Sequence, residues 1–196
     1  PFSCGYYAAQ KADNLDASDT VIVFGAGPIG LGVVAAANAK GARVIIAEPS
    51  QARIEVAKKL GAESSFDPSA ADAVEQAMKL TDGKGATVVF EASGKPQAMA
   101  MTFQVAAFRA RLVNIGINVG DSATAELGLI QSKELQVRGI IGSPGVWPET
   151  IRFLAKTGID LSPLVTKQFD IADAASAYDA VLNDKSQIKV HIQSTA

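Results

Sequence analysis

The sequence predicts an α/β fold in which helices cover both faces of a doubly wound, six-stranded parallel sheet. Short β-rich runs alternate along the chain with segments of helical composition and spacing. Two of these runs, VIVF at 21–24 and TVVF at 87–90, are continuous apolar runs and do not alternate between apolar and polar residues. This is expected of strands that are covered on both faces. Repeated β-α units of this kind imply right-handed crossovers and one open sheet.

The elements follow one another in a regular order. The predicted strands are Thr20–Phe24, Arg43–Ala47, Ser64–Phe66, Thr87–Ala92, Arg111–Ile117 and Leu135–Ile141. The predicted helices between them are Ile29–Lys40, Gln51–Leu60, Ala70–Leu80, Gln97–Phe108 and Ala123–Ser132. Pro28 fits the first turn of its helix, where a missing N–H leaves nothing unsatisfied. Gly41 and Gly61 follow two helices at the position where a left-handed cap favours glycine.

The two ends of the chain have no evident place in such a sheet. A piece up to Asp16 precedes the first strand. After the last strand we expect a helix at 148–157, an extended segment PLVTKQFDI, a helix at 172–183 and a final extended segment IKVHI. A six-stranded sheet does not need these elements, so they are expected to pack against something else.

Composition and charge exclude several classes of protein. The chain has 196 residues, of which 48% are hydrophobic and 19% charged, as in a compact globular domain. Its net charge of −2 arises from dispersed residues, so we expect neither a nucleic-acid nor a membrane partner. No apolar stretch approaches the ~20 residues that cross a bilayer, and the first residues lack the layout of a signal peptide. A single cysteine excludes an intrachain disulfide and favours a cytoplasmic location.

Metal ligands and reactive side chains are scarce. Cys4 and His191 are the only residues of their types and lie at opposite ends of the sequence. A structural zinc site needs about four Cys or His ligands and a catalytic one about three protein ligands. We therefore expect this chain alone to bind no metal and to contain no Cys–His nucleophile pair.

A glycine motif follows the first predicted strand. Gly25, Gly27 and Gly30 have the spacing G-x-G-x-x-G, and the acidic Glu48 ends the second strand about 20 residues later. In that context the glycines permit a tight turn, a close approach of backbone to pyrophosphate, and close packing of helix on strand. The alternative is an ordinary βα turn with packing glycines. We favour a dinucleotide-binding Rossmann fold, with the crevice between the first and fourth strands.

Two side chains bear on the choice of cofactor. Glu48 would accept hydrogen bonds from ribose hydroxyls and repel a 2′-phosphate, which favours NAD over NADP. The alternative for Glu48 is a solvated carboxylate at a strand end. Arg53 could hold a 2′-phosphate, although an exposed residue in the first turn of a helix is the simpler interpretation.

Two further strand ends face the same crevice. FEASG at 90–94 places Ser93 and Gly94 beside the glycine motif, where they could line the adenosine or pyrophosphate side. NIGI at 114–117 could fix the nicotinamide through backbone groups. Routine strand-end geometry is the alternative for both.

These motifs together resemble a known family. PFSCGYYAA, TVIVFGAGPIGLG, GARVIIAEPSQARIEVAKKLGAE, LTDGKGATVVFEASGKP, ELQVRGIIGS and the segment from Pro163 to Ile192 occur in this order. Over essentially the whole chain they resemble the C-terminal part of medium-chain dehydrogenase/reductases, especially the zinc-dependent sorbitol and butanediol dehydrogenases. The resemblance implies an absent catalytic domain that carries the zinc and acts on a small alcohol or polyol. Cys4 falls a few residues too late to match the last zinc ligand.

The resemblance also implies boundaries, contacts and an assembly. Residues 1–17 would be an interdomain helix and linker, 18–161 the NAD(P)-binding domain, and 162–196 a segment returning to the catalytic domain. Dimers or tetramers would pair through the edge Leu135–Ile141. The implied cofactor contacts are Gly25, Gly27, Pro28, Ile29, Gly30, Glu48, Arg53, Ala92, Ser93, Ile115, Gly116, Ile117 and Ile141.

The expected function is therefore to hold NAD for hydride transfer in an alcohol or polyol dehydrogenase, with this chain alone inactive. Two alternatives stay open at this point. One is a zinc-free quinone or enoyl reductase relative, although those branches more often have a glycine loop like AAGGVG. The other is a nucleotide-sensing module without catalytic activity.

Overall fold

The computed structural model describes residues 1–194 and contains the predicted six-stranded parallel sheet. The strands are β1 Thr20–Phe24, β2 Arg43–Ala47, β3 Ala62–Phe66, β4 Ala86–Glu91, β5 Ala106–Asn114 and β6 Gln136–Gly139. Their order in the sheet is β3-β2-β1-β4-β5-β6. The strand order reverses between β1 and β4, so the crevice predicted between these strands lies at the switch point of the doubly wound sheet.

Helices cover both faces of this sheet. The helices of the described chain are α1 Phe2–Lys11, α2 Pro28–Ala39, α3 Gln51–Lys59, α4 Ala73–Leu80, α5 Pro96–Val105, α6 Leu129–Ser132, α7 Trp147–Thr157 and α8 Ala174–Asn183. The last of them, α8, packs on a separate pair of strands near the C-terminus and not on this sheet. Successive residues of β1 alternate between two apolar clusters: Val21 and Val23 join one, and Ile22 and Phe24 join the other. Both faces of the central strand are therefore buried, which explains its unbroken apolar sequence.

The N-terminal helix α1 packs tightly on α2. A Cβ added at Gly5 would lie 2.5 Å from the carbonyl carbon of Gly32, so only glycine allows this approach of the two helices. Arg111 donates a hydrogen bond of 2.8 Å to the carbonyl of Ala12 at the end of α1. The helix predicted to lie between domains is thus fixed to the helix that follows the glycine motif.

Two predicted helices were wrong at their ends. The helix predicted over 97–108 ends at Val105, and the chain enters β5 at Ala106 without a loop. The helix predicted over 123–132 forms only at Leu129–Ser132, because most of residues 121–128 are exposed and offer no buried face to stabilise it. The other boundaries differ from the predictions by a few residues.

The C-terminal part forms a small unit of its own beside the sheet. After α7, strands β7 Val165–Asp170 and β8 Lys189–Gln193 pair in parallel, with α8 between them. Leu164 and Ile188 are buried and join one face of the main core. Among residues 1–194, no helix combines the length and the apolar character that a bilayer crossing requires.

Candidate functional site

A cavity opens at the carboxyl ends of the central strands. Its volume is about 670 Å³. It is lined by Phe24, Gly25, Gly27, Ala47, Glu48, Pro49, Arg53, Pro68, Ser69, Ala92, Ser93, Lys95, Gln97 and Ala98. The cavity therefore collects residues from the ends of β1, β2, β3 and β4 and from the starts of α2, α3 and α5.

The glycine turn between β1 and α2 depends on the absence of side chains. Gly25 has φ of 91°, and a Cβ there would lie 3.0 Å from the Cα of Ser93. A Cβ at Gly30 would lie 1.9 Å from the carbonyl oxygen of Gly25, so the helix packs directly on the turn. Gly27 has open space where its side chain would be. The turn is therefore tight, the helix packs closely on it, and Gly27 leaves open space, which is the backbone geometry that a phosphate-binding turn requires. Phosphate binding itself stays a prediction.

The N-terminus of α2 begins at this turn. Gly27 is the N-cap residue, Pro28 is the first helical residue, and no side chain of the described chain caps the first turn. The first N–H groups of a helix carry partial positive charge and attract anions. Ile29 and Gly30 offer such groups, while their side-chain positions do not line the cavity.

Glu48 lies buried beside the turn and binds it. One carboxylate oxygen accepts a hydrogen bond of 2.8 Å from the N–H of Ala26, and the other accepts one of 3.0 Å from the N–H of Ser50. The side chain is not the solvated carboxylate of the alternative interpretation, because only 6% of the residue is exposed. Each oxygen retains a second lone pair that can accept from a ligand hydroxyl.

Arg53 lines the cavity from the first turn of α3. Its terminal nitrogen donates a hydrogen bond of 2.9 Å to the carbonyl of Gln187, in the turn before β8. The buried Nε has no hydrogen-bond partner within residues 1–194. That turn is held by Asp184: hydrogen bonds from Ser186 and Gln187 lower the pKa of its carboxyl to about 2.

The ends of β4 and β5 meet beside the cavity. Ala92 and Ser93 line it, and a Cβ at Gly116 would lie 2.2 Å from the backbone nitrogen of Gly94. Ile115 is buried next to this contact, whereas Ile117 is 68% exposed.

Ile141 is separate from this group of residues. It lies beyond β6, is 76% exposed, and does not line the cavity. The predicted contacts that line the cavity are Gly25, Gly27, Glu48, Arg53, Ala92 and Ser93. The predicted contacts that do not line it are Pro28, Ile29, Gly30, Ile115, Gly116, Ile117 and Ile141.

Several cavity residues escaped the sequence analysis. They are Phe24, Ala47, Pro49, Pro68, Ser69, Lys95, Gln97 and Ala98. The rule that ligands bind at the carboxyl ends of parallel strands could have found Pro68 and Ser69, which follow β3. Lys95 and Gln97 begin α5, so their place depends on how that helix returns over the sheet.

The described residues do not fit a metal site. Cys4 lies half-buried in α1 and His191 lies in β8. No group of three or more His, Cys, Asp or Glu side chains in the described chain could hold a metal ion.

The fold and the glycine turn define a Rossmann-type α/β domain. A sequence profile described as zinc-binding dehydrogenase matches residues 28–156. The chain belongs to this zinc-binding dehydrogenase family.

The chain is similar to several proteins named as dehydrogenases. The chain is 31% identical over 194 residues to erythritol/L-threitol dehydrogenase of Mycolicibacterium smegmatis, covering 98% of the chain and 53% of the relative. It is 34% identical over 193 residues to (R,R)-butanediol dehydrogenase of Neisseria gonorrhoeae, covering 97% of the chain and 54% of the relative. The crystal structure of 2R,3R-butanediol dehydrogenase from Bacillus subtilis aligns with a TM-score of 0.88 and 32% identity, covering 98% of this chain and 55% of the other. The chain thus spans about half the length of these relatives.

Proposed function

We propose that the chain is the NAD(H)-binding portion of a zinc-dependent alcohol or polyol dehydrogenase. The observation that carries this proposal is the glycine turn of β1 and α2, which opens into a cavity beside the buried carboxylate of Glu48. Open space at Gly27 fits a pyrophosphate, and so do the N–H groups at the start of α2, which no side chain within residues 1–194 caps. The relatives named above are dehydrogenases of alcohols with two or more hydroxyl groups, which supports a substrate of this class.

Different residues of the site contact different parts of the cofactor. The turn at Gly25–Gly30 holds the pyrophosphate, and Glu48 accepts from the adenosine ribose. The β4 end at 92–93 lies beside the pyrophosphate, and the β5 end at 115–117 orients the nicotinamide half. When bound, the nicotinamide supplies hydride acceptance or donation. In this reaction the residues of this chain bind the cofactor and orient its nicotinamide ring.

The preferred cofactor is NAD rather than NADP. A 2′-phosphate would approach the carboxylate of Glu48, which is buried and already fixed by two backbone N–H groups. Arg53 could offset this repulsion, but one end of its guanidinium is bonded to the carbonyl of Gln187. The carboxylate therefore decides the preference.

The metal chemistry belongs outside the described residues. No step through zinc is assigned to them, because they contain no set of ligands. We propose that the zinc ligands and the alcohol site lie in a catalytic portion that the relatives contain in their additional length, and that this chain alone turns nothing over. A protein-proportional rate of butanediol oxidation by the purified chain would contradict this division.

We also propose that copies of the parent protein form a homodimer or homotetramer through β6. This strand is the edge of the sheet, and all four of its residues are exposed. An exposed edge strand presents unpaired backbone groups that can pair with another chain.

Calorimetric titration of the chain with NADH and with NADPH tests the proposed cofactor. We expect binding of NADH and at least about tenfold weaker binding of NADPH, since a repulsive buried contact costs one or more kcal/mol. A preference for NADPH would assign the ribose end to Arg53 instead of Glu48. Binding of neither would contradict the proposed function.

A further inference from the structure

Glu91 is a buried carboxylate to which the proposed function assigns no role. It is the last residue of β4, and none of its surface is exposed. A buried carboxylate is costly unless hydrogen-bond donors surround it. The donors around Glu91 therefore indicate what it holds in place.

These donors all belong to the turn that follows β4. The backbone N–H of Ser93 donates to Oε1 at 2.9 Å, and the N–H of Gly94 donates to both oxygens at 3.1 and 3.2 Å. The hydroxyl of Ser93 donates to the same carboxylate and accepts from the N–H of Lys95 at 3.1 Å. One side chain thus fixes the shape of the turn from Ser93 to Lys95.

The same residue also holds the end of β5. Its backbone carbonyl accepts from the N–H of Ile115 at 2.8 Å and from that of Gly116 at 2.9 Å. A Cβ at Gly116 would lie 2.4 Å from the Oε2 of Glu91, so the carboxylate is packed directly against the β5 end. Glu91 therefore joins the ends of β4 and β5 beside the cavity.

The contacts of Glu91 are separate from those of Glu48. Glu48 binds the glycine turn and the start of α3, on the other side of the cavity. The turn held by Glu91 touches Gly25 through Ser93 and touches Ile117 through Gly94. Glu48 shapes the backbone at the glycine turn and the start of α3, and Glu91 shapes the backbone toward β5.

We propose that Glu91 is a positioning residue that fixes the β4 turn against the β5 end and thereby sets the β5 end for the nicotinamide half of the cofactor. The inference rests on the proposed function. It assigns Glu91 no contact with the cofactor, because the carboxylate is buried behind the turn. An apolar residue of similar size would fill the space but would leave the N–H groups of Ser93 and Gly94 without an acceptor.

The test compares NADH with AMP, which lacks the nicotinamide half, on the wild-type chain and on Glu91→Gln. The amide keeps the size of the side chain but replaces one acceptor oxygen with a donor that faces N–H groups. We expect affinity for NADH to fall about tenfold or more, and affinity for AMP to fall less than about threefold. Equal losses for both ligands, or an unchanged affinity for NADH, would overturn the proposal.

Thr81→Val is the matched control. Thr81 is also buried, and its hydroxyl accepts from the N–H of Gly85 just before β4, at the opposite end of that strand. This variant loses a buried polar group, so it should lose stability but keep its affinity for NADH within about twofold. An equal loss of NADH affinity in Thr81→Val would contradict a positioning role for Glu91.

A measurement on the wild-type chain covers the case in which Glu91→Gln does not fold. The amides of Ser93 and Gly94 lie outside any helix or strand, yet their bonds to Glu91 should protect them from hydrogen exchange. Rapid exchange at both amides would overturn the proposal. If the wild-type chain binds neither NADH nor AMP, the proposed function fails too, whereas unchanged NADH binding by Glu91→Gln would refute the role of Glu91 alone.

Discussion

At the scale of single residues, buried charged groups do much to shape the backbone around the cavity. Glu48 and Glu91 each end a strand, and each accepts hydrogen bonds from the N–H groups of a turn. The sequence predicted a role for Glu48 from its spacing after the glycine motif. It gave no such signal for Glu91, because that role depends on the approach of two strand ends.

Lys133 has a comparable role away from the cavity. Its ammonium donates to the carbonyls of Phe103, Gln104 and Ala106, at 3.1, 3.0 and 2.8 Å. Burial lowers its pKa. The ammonium caps the end of α5, where the chain enters β5 without a loop.

Replacing this cap should destabilise the fold. We expect Lys133→Met to lower the free energy of unfolding by about 1–3 kcal/mol, since three carbonyls lose a charged donor. Urea unfolding measures the change. Lys59→Met, on the exposed end of α3, is the matched control and should stay within about 0.5 kcal/mol of wild type. Equal losses in the two variants would contradict the capping role.

At the scale of elements, the bounds of helices and strands were predicted most accurately where the element is completely buried. The predicted bounds of β1 and β2 agree with the structure, because an unbroken apolar run has no other stable place in a sheet covered on both faces. The predicted end of α5 was wrong because the cap of this helix comes from Lys133, which lies far along the chain. The helix predicted over 123–132 was wrong at 123–128 because a segment of helical composition does not form a stable helix without a buried face.

The proposed pairing through β6 gives a prediction at this scale. Val137 is half-exposed in the middle of β6, and a charge there would oppose pairing of two edges. We expect wild type to sediment as a dimer at high concentration and Val137→Asp to sediment as a monomer of 20.3 kDa. Val119→Asp places the same charge on the exposed loop after β5 and should leave the dimer intact. A wild-type chain that stays monomeric at every concentration would contradict the pairing.

At the scale of the whole molecule, the chain holds the cofactor half of its relatives' architecture. The exposed apolar side chains of Tyr178, Val181 and Leu182 on α8 agree with the expectation that the C-terminal elements pack against something else. The proposed boundaries at residues 17 and 161 stay predictions. The sequence could predict that Gly25, Gly27, Glu48 and the β4 end lie together at one cavity, because motif spacing and strand ends specify their places. Lys95 and Gln97 depend on the return of α5 over the sheet, which no local pattern encodes.

The central claim is that the dinucleotide binds at the glycine turn between β1 and α2. Backbone amide NMR of the isotope-labelled chain during titration with NADH tests it most directly. We expect the largest amide shifts at residues 27, 29, 30, 93–94 and 115–116, since Pro28 has no backbone N–H. Shifts that are absent, or that centre on Asp19 and Thr87 at the opposite end of the strands, would contradict it.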